Sequence, residues 1–301
     1  MIINPASYGI NRRGSPAARD LMSNGFAIIR GAAPPSLLGR INVDLDSRYA
    51  ATPFCEGGFY GARTKRFGRL LIRSPHMADL VMNRAILELA EVALGNWRER
   101  IQLNLAQAIA LHPGALAQFP HRAAHARRGA LGEVEYLVNV MWPLTSFTAE
   151  NGGTIIWPRS HGLEALVEEP REAPIIAEAE PGDAIVFLGS TLHGAGANHS
   201  KAVRRGIIVS YCLGWLKPYE NQWLAYPPHI ARSFPREISE LVGYVQHRPN
   251  LGNFEGQCPS VLFDADPEDA RAAVDALRPD QAAMLAQHVA SQQAVASGTR
   301  S

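Results

Sequence analysis

The feature that most limits the fold is the texture of the chain after Arg100, where short apolar runs alternate with polar residues at 101–111, 134–142, 153–157, 173–179, 183–188 and 204–212. Alternation with period two belongs to strands, whose successive side chains point to opposite faces. Between the runs stand turn signals such as His112-Pro113-Gly114, Glu150-Asn151-Gly152-Gly153 and Pro181-Gly182-Asp183. These replace the helical crossovers that a parallel sheet requires, so the expectation is an antiparallel sandwich or barrel. The flanks read as helices: Ser15-Pro16 and Pro35-Ser36 open two of them, and Asn83 precedes an apolar-periodic run over 86–94. After Pro227 helical texture returns, with a terminal pair expected at 266–277 and 280–293. The organisation predicted is one domain over 1–265, made of a helical wrapper (1–99), a β core (100–215) and a covering segment (216–265), followed by C-terminal helices and a tail (266–301).

Composition narrows the class without naming a partner. With 47% hydrophobic residues in 301, the chain can bury a sizeable core, and 29 basic against 28 acidic residues leave no global footprint for nucleic acid. Cys55, Cys212 and Cys258 are far apart with no C-x-x-C pair, which speaks against a disulfide scaffold and for a reducing cytoplasm. No apolar stretch reaches the roughly 18 residues of a membrane span.

Sorting strand faces isolates polar residues in apolar company. Leu103, Leu105, Ile109 and Leu111 are expected on one face with Gln107 among them, either bonded to main chain or lining a pocket. Arg204, Gly206, Ile208, Ser210 and Cys212 share another face, where a guanidinium beside a very small residue leaves room for an anion. Two histidines have strand context, His121 after Gln118-Phe119-Pro120 and His193 after the 183–188 run. Two imidazoles and a carboxylate on a β-barrel make the facial triad of a non-haem Fe(II) oxygenase, which leaves coordination positions for co-substrate and O2.

The His121 segment, Glu150-Asn151-Gly152, Trp157-Pro158-Arg159-Ser160-His161, Pro181-Gly182-Asp183 and His193-Gly194-Ala195-Gly196-Ala197-Asn198 followed by Arg204 together resemble the phytanoyl-CoA dioxygenase family of Fe(II)/2-oxoglutarate-dependent oxygenases. The resemblance spans about a third to a half of the chain. It implies a double-stranded β-helix of jelly-roll, cupin-like type, mainly β with flanking helices. It also implies Fe(II) on His121 and His193, 2-oxoglutarate with its distal carboxylate on Arg204, and O2 as oxidant. Gln107, Thr154 and Ser210 are further candidates for the co-substrate, and Asn139 for the cavity wall.

One position departs from the pattern. The family reads H-x-D, whereas this chain reads His121-Arg122-Ala123-Ala124-His125. Three readings follow. Chloride fills the place of the carboxylate, as in related 2-oxoglutarate halogenases with H-x-A or H-x-G, and the charge sum is unchanged because one monoanion replaces another. Alternatively His125 completes a three-histidine site in an unusual hydroxylase. In the third reading the chain has lost its iron chemistry and only binds a small molecule. The halogenase reading leads, because His193, the glycine turn and Arg204 are all retained.

The substrate is expected to be a small molecule of secondary metabolism. Arg63, Lys65, Arg66, Arg69 and Arg73 put five cations into eleven residues, which could meet a substrate phosphate or carboxylate or could form a solvated basic face. No aromatic platform interleaves with them, so nucleic acid is not expected. Trp215, Tyr219, Trp223 and Tyr226 could cover the pocket. Glu133 and Glu135 belong to the next strand and are not expected as ligands, and His112, His161 and His199 are read as structural.

Overall fold

The computed structural model describes residues 14–95, 97–123, 132–163, 165 and 170–296. The chain forms two compact units, one up to Ala225 and one from Tyr226. The first is built on two antiparallel sheets. The larger has six strands in the order β1 (Phe26–Ile29), β7 (Ala184–Leu188), β4 (Leu137–Pro143), β9 (Arg204–Leu213), β3 (Ile101–Leu111) and β2 (Thr64–Phe67). The smaller has β6 (Ile175–Ala177), β5 (Thr154–Ile156) and β8 (His193–Ala195). This is the jelly-roll type of architecture the sequence led us to expect, with Ile156, Ala177, Phe147, Ile185 and Phe187 forming the apolar core.

Register places polar groups in rows across the large sheet. Phe26, Phe187, Asn139, Ser210 and Leu105 are aligned partners, and so are Ile28, Ile185, Met141, Ile208 and Gln107. Directly paired residues share a face, so Gln107 looks inward beside Ile208. A β-bulge at Asn104 breaks the expected face, since Leu103 pairs with Tyr211 whereas Leu105 pairs with Ser210. The inserted residue reverses the alternation, so Leu103 faces away from Leu105, Ile109 and Leu111.

The helices form where capping and periodicity agree. Ser15 Oγ accepts from Ala18 N at 3.2 Å at the start of α1 (Pro16–Asn24), and α2 (Pro35–Asp44) opens on proline. Further along the wrapper lie α3 (Asp46–Ala51) and α4 (Met77–Val81). Asn83 Oδ1 accepts from Ile86 N at the start of α5 (Arg84–Leu94), whose buried Ile86, Leu89, Ala90, Ala93 and Leu94 form one stripe. The segment 1–99 is not helical throughout: β1 and β2 within it are the two edges of the large sheet, too short at four residues each to show a period.

A short helix, α6 (Gln222–Ala225), ends the first unit. In the second unit, α7 (Pro228–Ala231) and α8 (Arg236–Leu241) lead to a loop region, and the expected terminal helix is α9 (Pro279–Ala296). Its expected companion at 266–277 is not helical. Asp266 Oδ1 accepts from Glu268 N, Arg271 returns to the Asp266 and Asp269 carbonyls, and Val274 N donates to Gly256 O, so these groups find partners outside a helix.

Three described non-glycine residues, Arg69, Arg159 and Glu255, have positive φ. Arg159 has φ 53°, the left-handed region, at the place where the resembling motif usually has glycine. Its exposed ion pair with Glu172 at 2.5 Å is worth little at the surface. Replacing Arg159 by glycine is expected to stabilise the protein by about 0.5–1 kcal/mol in denaturant melts, because glycine takes this conformation without the Cβ clash. A loss of stability would show that the guanidinium outweighs the strain.

Candidate active site

The His121 segment pairs with β8 as one isolated antiparallel bridge. His121 N donates to His193 O at 2.9 Å, and His193 N donates to His121 O at 3.0 Å. The two rings therefore stand side by side, with centroids 4.4 Å apart. Each Nδ1 is bonded to a main-chain carbonyl, that of Phe119 at 3.0 Å for His121 and that of Thr191 at 2.9 Å for His193. A carbonyl only accepts, so Nδ1 carries the proton and the lone pair resides on Nε2. Burial, with His121 as neighbour, pushes the pKa of His193 down to about 3, which keeps the ring neutral. Imidazoles held through Nδ1 in this way suit a divalent metal.

Both rings line a cavity of about 1370 Å³ in the first unit, and Ala123, Gln107, Asn139, Thr154 and Arg204 line it as well. Arg204 opens β9, is 2% exposed and lies over the Phe147 ring at 4.2 Å. Its Nε and Nη1 are buried with no hydrogen-bond partner. Burial and the nearby Arg66 lower its pKa to about 10. Unpaired buried donors are costly, and here they face a cavity. The space expected beside Gly206 is taken by Phe147, since a Cβ there would meet that ring at 2.6 Å. Glycine at this position admits the ring that supports Arg204, and not an anion.

Sequence reasoning set Arg66 among five clustered cations, and the structure disperses them. Arg63 Nε donates to Pro113 O, Lys65 Nζ to Tyr49 O and Arg69 Nε to Ala225 O, while Arg73 lies over Phe67. Arg63 and Arg66 both line the cavity, and Arg66 is the more buried of the two: its Nη1 donates to Gln107 Oε1 at 3.2 Å, its Nε is buried without a partner, and burial lowers its pKa. Strand alternation was the available signal, because Thr64 and Arg66 share a face and their partners Leu111 and Ile109 lie on the cavity side. The cavity is thus lined by two under-partnered guanidinium groups, Arg204 and Arg66, of which Arg66 is bonded to Gln107.

Other expected residues find different places. Ser210 shares a row with Asn139 but does not line the cavity, and its hydroxyl accepts from Asn104 Nδ2 at 3.1 Å. Thr154 pairs with Ala195 on the face that carries His193. His125 lies outside the described residues, and among the described residues no group of three His, Cys, Asp or Glu side chains could hold a metal. Glu135 accepts from the Ser190 hydroxyl at 2.5 Å, and burial raises its pKa to about 7. Of the four aromatic residues from 215 to 226, Tyr219 lines the cavity and its hydroxyl donates to Ala123 O. Trp215 Nε1 donates to Trp97 O, and Tyr226 packs against Phe234 in the second unit. His112 lies edge-on to Phe54, His161 bonds Met22 O, and the main-chain N–H of His199 donates to Glu150 O.

Several motif residues are scaffold. Asp183 accepts from Arg30, Gly31 N and Glu180 N, while Asn198 Nδ2 donates to Leu111 O and Ala202 O.

The family model for phytanoyl-CoA dioxygenase (PhyH) matches residues 21–206. The chain belongs to the PhyH family. It is an Fe/2-oxoglutarate-dependent oxidoreductase. Among curated proteins, this PhyH enzyme is 32% identical over 245 residues to dioxygenase aneA of Aspergillus aculeatus, covering 75% of this chain and 80% of that protein. Dioxygenase olcK of Penicillium canescens is 30% identical over 246 residues, covering 77% and 81%. Among solved structures, the epimerase SnoN of nogalamycin biosynthesis, in complex with Fe3+, alpha ketoglutarate and nogalamycin RO, superposes with a TM-score of 0.54 at 16% identity, covering 66% of this chain and 82% of that one. At that identity the likeness speaks for the fold. No described helix of the PhyH enzyme is long and apolar enough to cross a membrane.

Proposed function

We propose that the protein oxidises an aliphatic C–H bond of a small molecule, with His121 and His193 as metal ligands and Arg204 as the anchor of the 2-oxoglutarate distal carboxylate. The observation that carries this reading is the buried Arg204, whose Nε and Nη1 lack partners on the wall that also presents the paired histidines. Iron with 2-oxoglutarate and O2 supplies hydrogen abstraction from carbon. The chain's own groups bind and orient. Arg204 and Arg66 offer two cations to a dianion, with Gln107 bonded to Arg66 and Thr154 on the strand beside the one that carries His193. Phe187, 4.5 Å from the His193 ring, and Phe59, 4.8 Å from that of His121, pack against the two imidazoles.

The rest of the wall speaks for the substrate. Leu105, Leu116, Met141 and Ile208 are apolar, and Glu220 Oε2 is buried without a partner. The substrate is therefore largely apolar and brings a hydrogen-bond donor, which displaces the anionic substrate that the basic cluster suggested.

A second reading concerns the product. Ala123 lines the cavity where the family carries a carboxylate, and its methyl leaves the third ligand position to a monoanion from solution. Chloride there makes the enzyme a halogenase; a water molecule or another oxygen donor makes it a hydroxylase. The relatives named above are dioxygenases, so chlorination rests on Ala123 alone.

The first reading is tested by anaerobic titration with Fe(II) and 2-oxoglutarate together, in which the charge-transfer absorption of the bound pair is expected in the wild type and absent from His193→Ala. A wild type without that absorption rejects both enzyme readings.

A further inference from the structure

We infer that Arg122 is a positioning residue that locks the His121 turn to the strand bearing His193, and so maintains the metal geometry in a site without a carboxylate ligand. The inference rests on the reading of His121 and His193 as metal ligands. Arg122 stands between His121 and Ala123 and is 8% exposed. Its Nη1 donates to Ser190 O at 2.8 Å and to Ser160 O, and its Nη2 donates to Ala165 O at 2.9 Å. Among the described residues these partners are all main-chain oxygens, so this buried cation serves the backbone.

Those oxygens belong to the segments that carry His193. Ser190 is three residues before His193. Ser160 Oγ accepts from Leu192 N at 2.9 Å and donates to Trp157 O at 2.6 Å, while Trp157 N donates to Leu192 O at 3.1 Å. One guanidinium therefore gathers the turn after β5 and the approach to β8, and fixes both to the residue beside His121. The fork geometry matters, since a planar group with five donors on three nitrogens spans carbonyls from separate segments, whereas an ammonium donates from a single nitrogen. On the other side of the turn, Tyr219 Oη holds Ala123 O. In relatives with H-x-D the metal itself ties the first turn through two ligands. Here His121 is its one ligand from the described part of that turn, and the Arg122 clamp takes over the second tie.

The test compares wild type, Arg122→Lys and Arg122→Ala by anaerobic titration with Fe(II) at saturating 2-oxoglutarate, alongside thermal melts of the metal-free proteins. Arg122→Lys is expected to bind Fe(II) on the order of 10- to 100-fold more weakly, as for other groups that orient ligands from behind. Millimolar guanidinium is expected to restore binding to Arg122→Ala and not to Arg122→Lys, whose own side chain fills the site. A lowered melting temperature with unchanged Fe(II) affinity would overturn the inference, because the clamp would then be structural only. If Arg122→Ala does not fold, Arg122→Lys with circular dichroism as its control decides alone. Absence of absorption in the wild type sinks the metal-site reading itself, whereas wild-type absorption matched by Arg122→Lys sinks only the role of Arg122.

Discussion

Replacing Arg204 by methionine is expected to weaken 2-oxoglutarate binding by roughly 150- to 5,000-fold, the loss seen when one partner of a buried charge pair is removed and the other is left unpaired, about 3–5 kcal/mol. The same change is expected to leave the ligand-free protein as stable as before or more so. Arg204 is buried over Phe147 with Nε and Nη1 unpartnered, so without ligand it bears the desolvation of its charge uncompensated. A thioether of similar length keeps the packing against the ring and removes that burden, and a gain of about 1 kcal/mol would raise the melting temperature by roughly 2–4 °C. Calorimetric titration with 2-oxoglutarate and ligand-free melts together check both halves. A variant that binds 2-oxoglutarate normally removes Arg204 from the proposed site. A variant that binds poorly and also melts far lower would assign Arg204 to the fold.

Restoring a carboxylate at Ala123 is the second large effect. Ala123→Asp is expected to tighten Fe(II) binding by about an order of magnitude, near 1.4 kcal/mol, because a charged oxygen ligand then belongs to the protein and need not be recruited. If chloride occupies the position in the wild type, products formed with chloride present carry chlorine, and the aspartate variant yields only the hydroxylated product or none. Mass measurement of the product with and without chloride reads both outcomes. A wild type that hydroxylates at saturating chloride rejects the halogenase reading and leaves the hydroxylase. Chlorination that continues unchanged in Ala123→Asp shows that the halide sits elsewhere.

The long strands were legible because period two survives over many residues: β3 runs over the span expected from the sequence, and β9 differs by one residue. Strands of three or four residues were not all so legible. β1 and β2 have no room for a pattern, and pairing with β7 and β3 decides them. The bulge at Asn104 was hidden because Leu103 and Leu105 preserve the apolar alternation that the bulge reverses. Ser210 does share the row of the cavity-lining Asn139, but its hydroxyl serves the bulge residue. His121, His193 and Arg204 came from ordered motifs, and the fold brings all three to one cavity. The cluster that includes Arg66 leaves open an anion site or a solvated face, and only its strand partners reveal that Arg66 points inward. The helix expected at 266–277 failed for a local reason, since side chains and the Gly256 carbonyl satisfy its polar groups first.

The main-chain bridge between His121 and His193 has a consequence for how such a site can change over time. The two imidazoles keep their spacing because two peptide hydrogen bonds hold it, at 2.9 and 3.0 Å, whatever stands at position 123. On the proposed reading of the two histidines as metal ligands, the third ligand is thereby separable from the other two. A single codon can exchange carboxylate for methyl without moving either ring, so chemistries that differ in what completes the metal lie one mutational step apart on an unaltered scaffold.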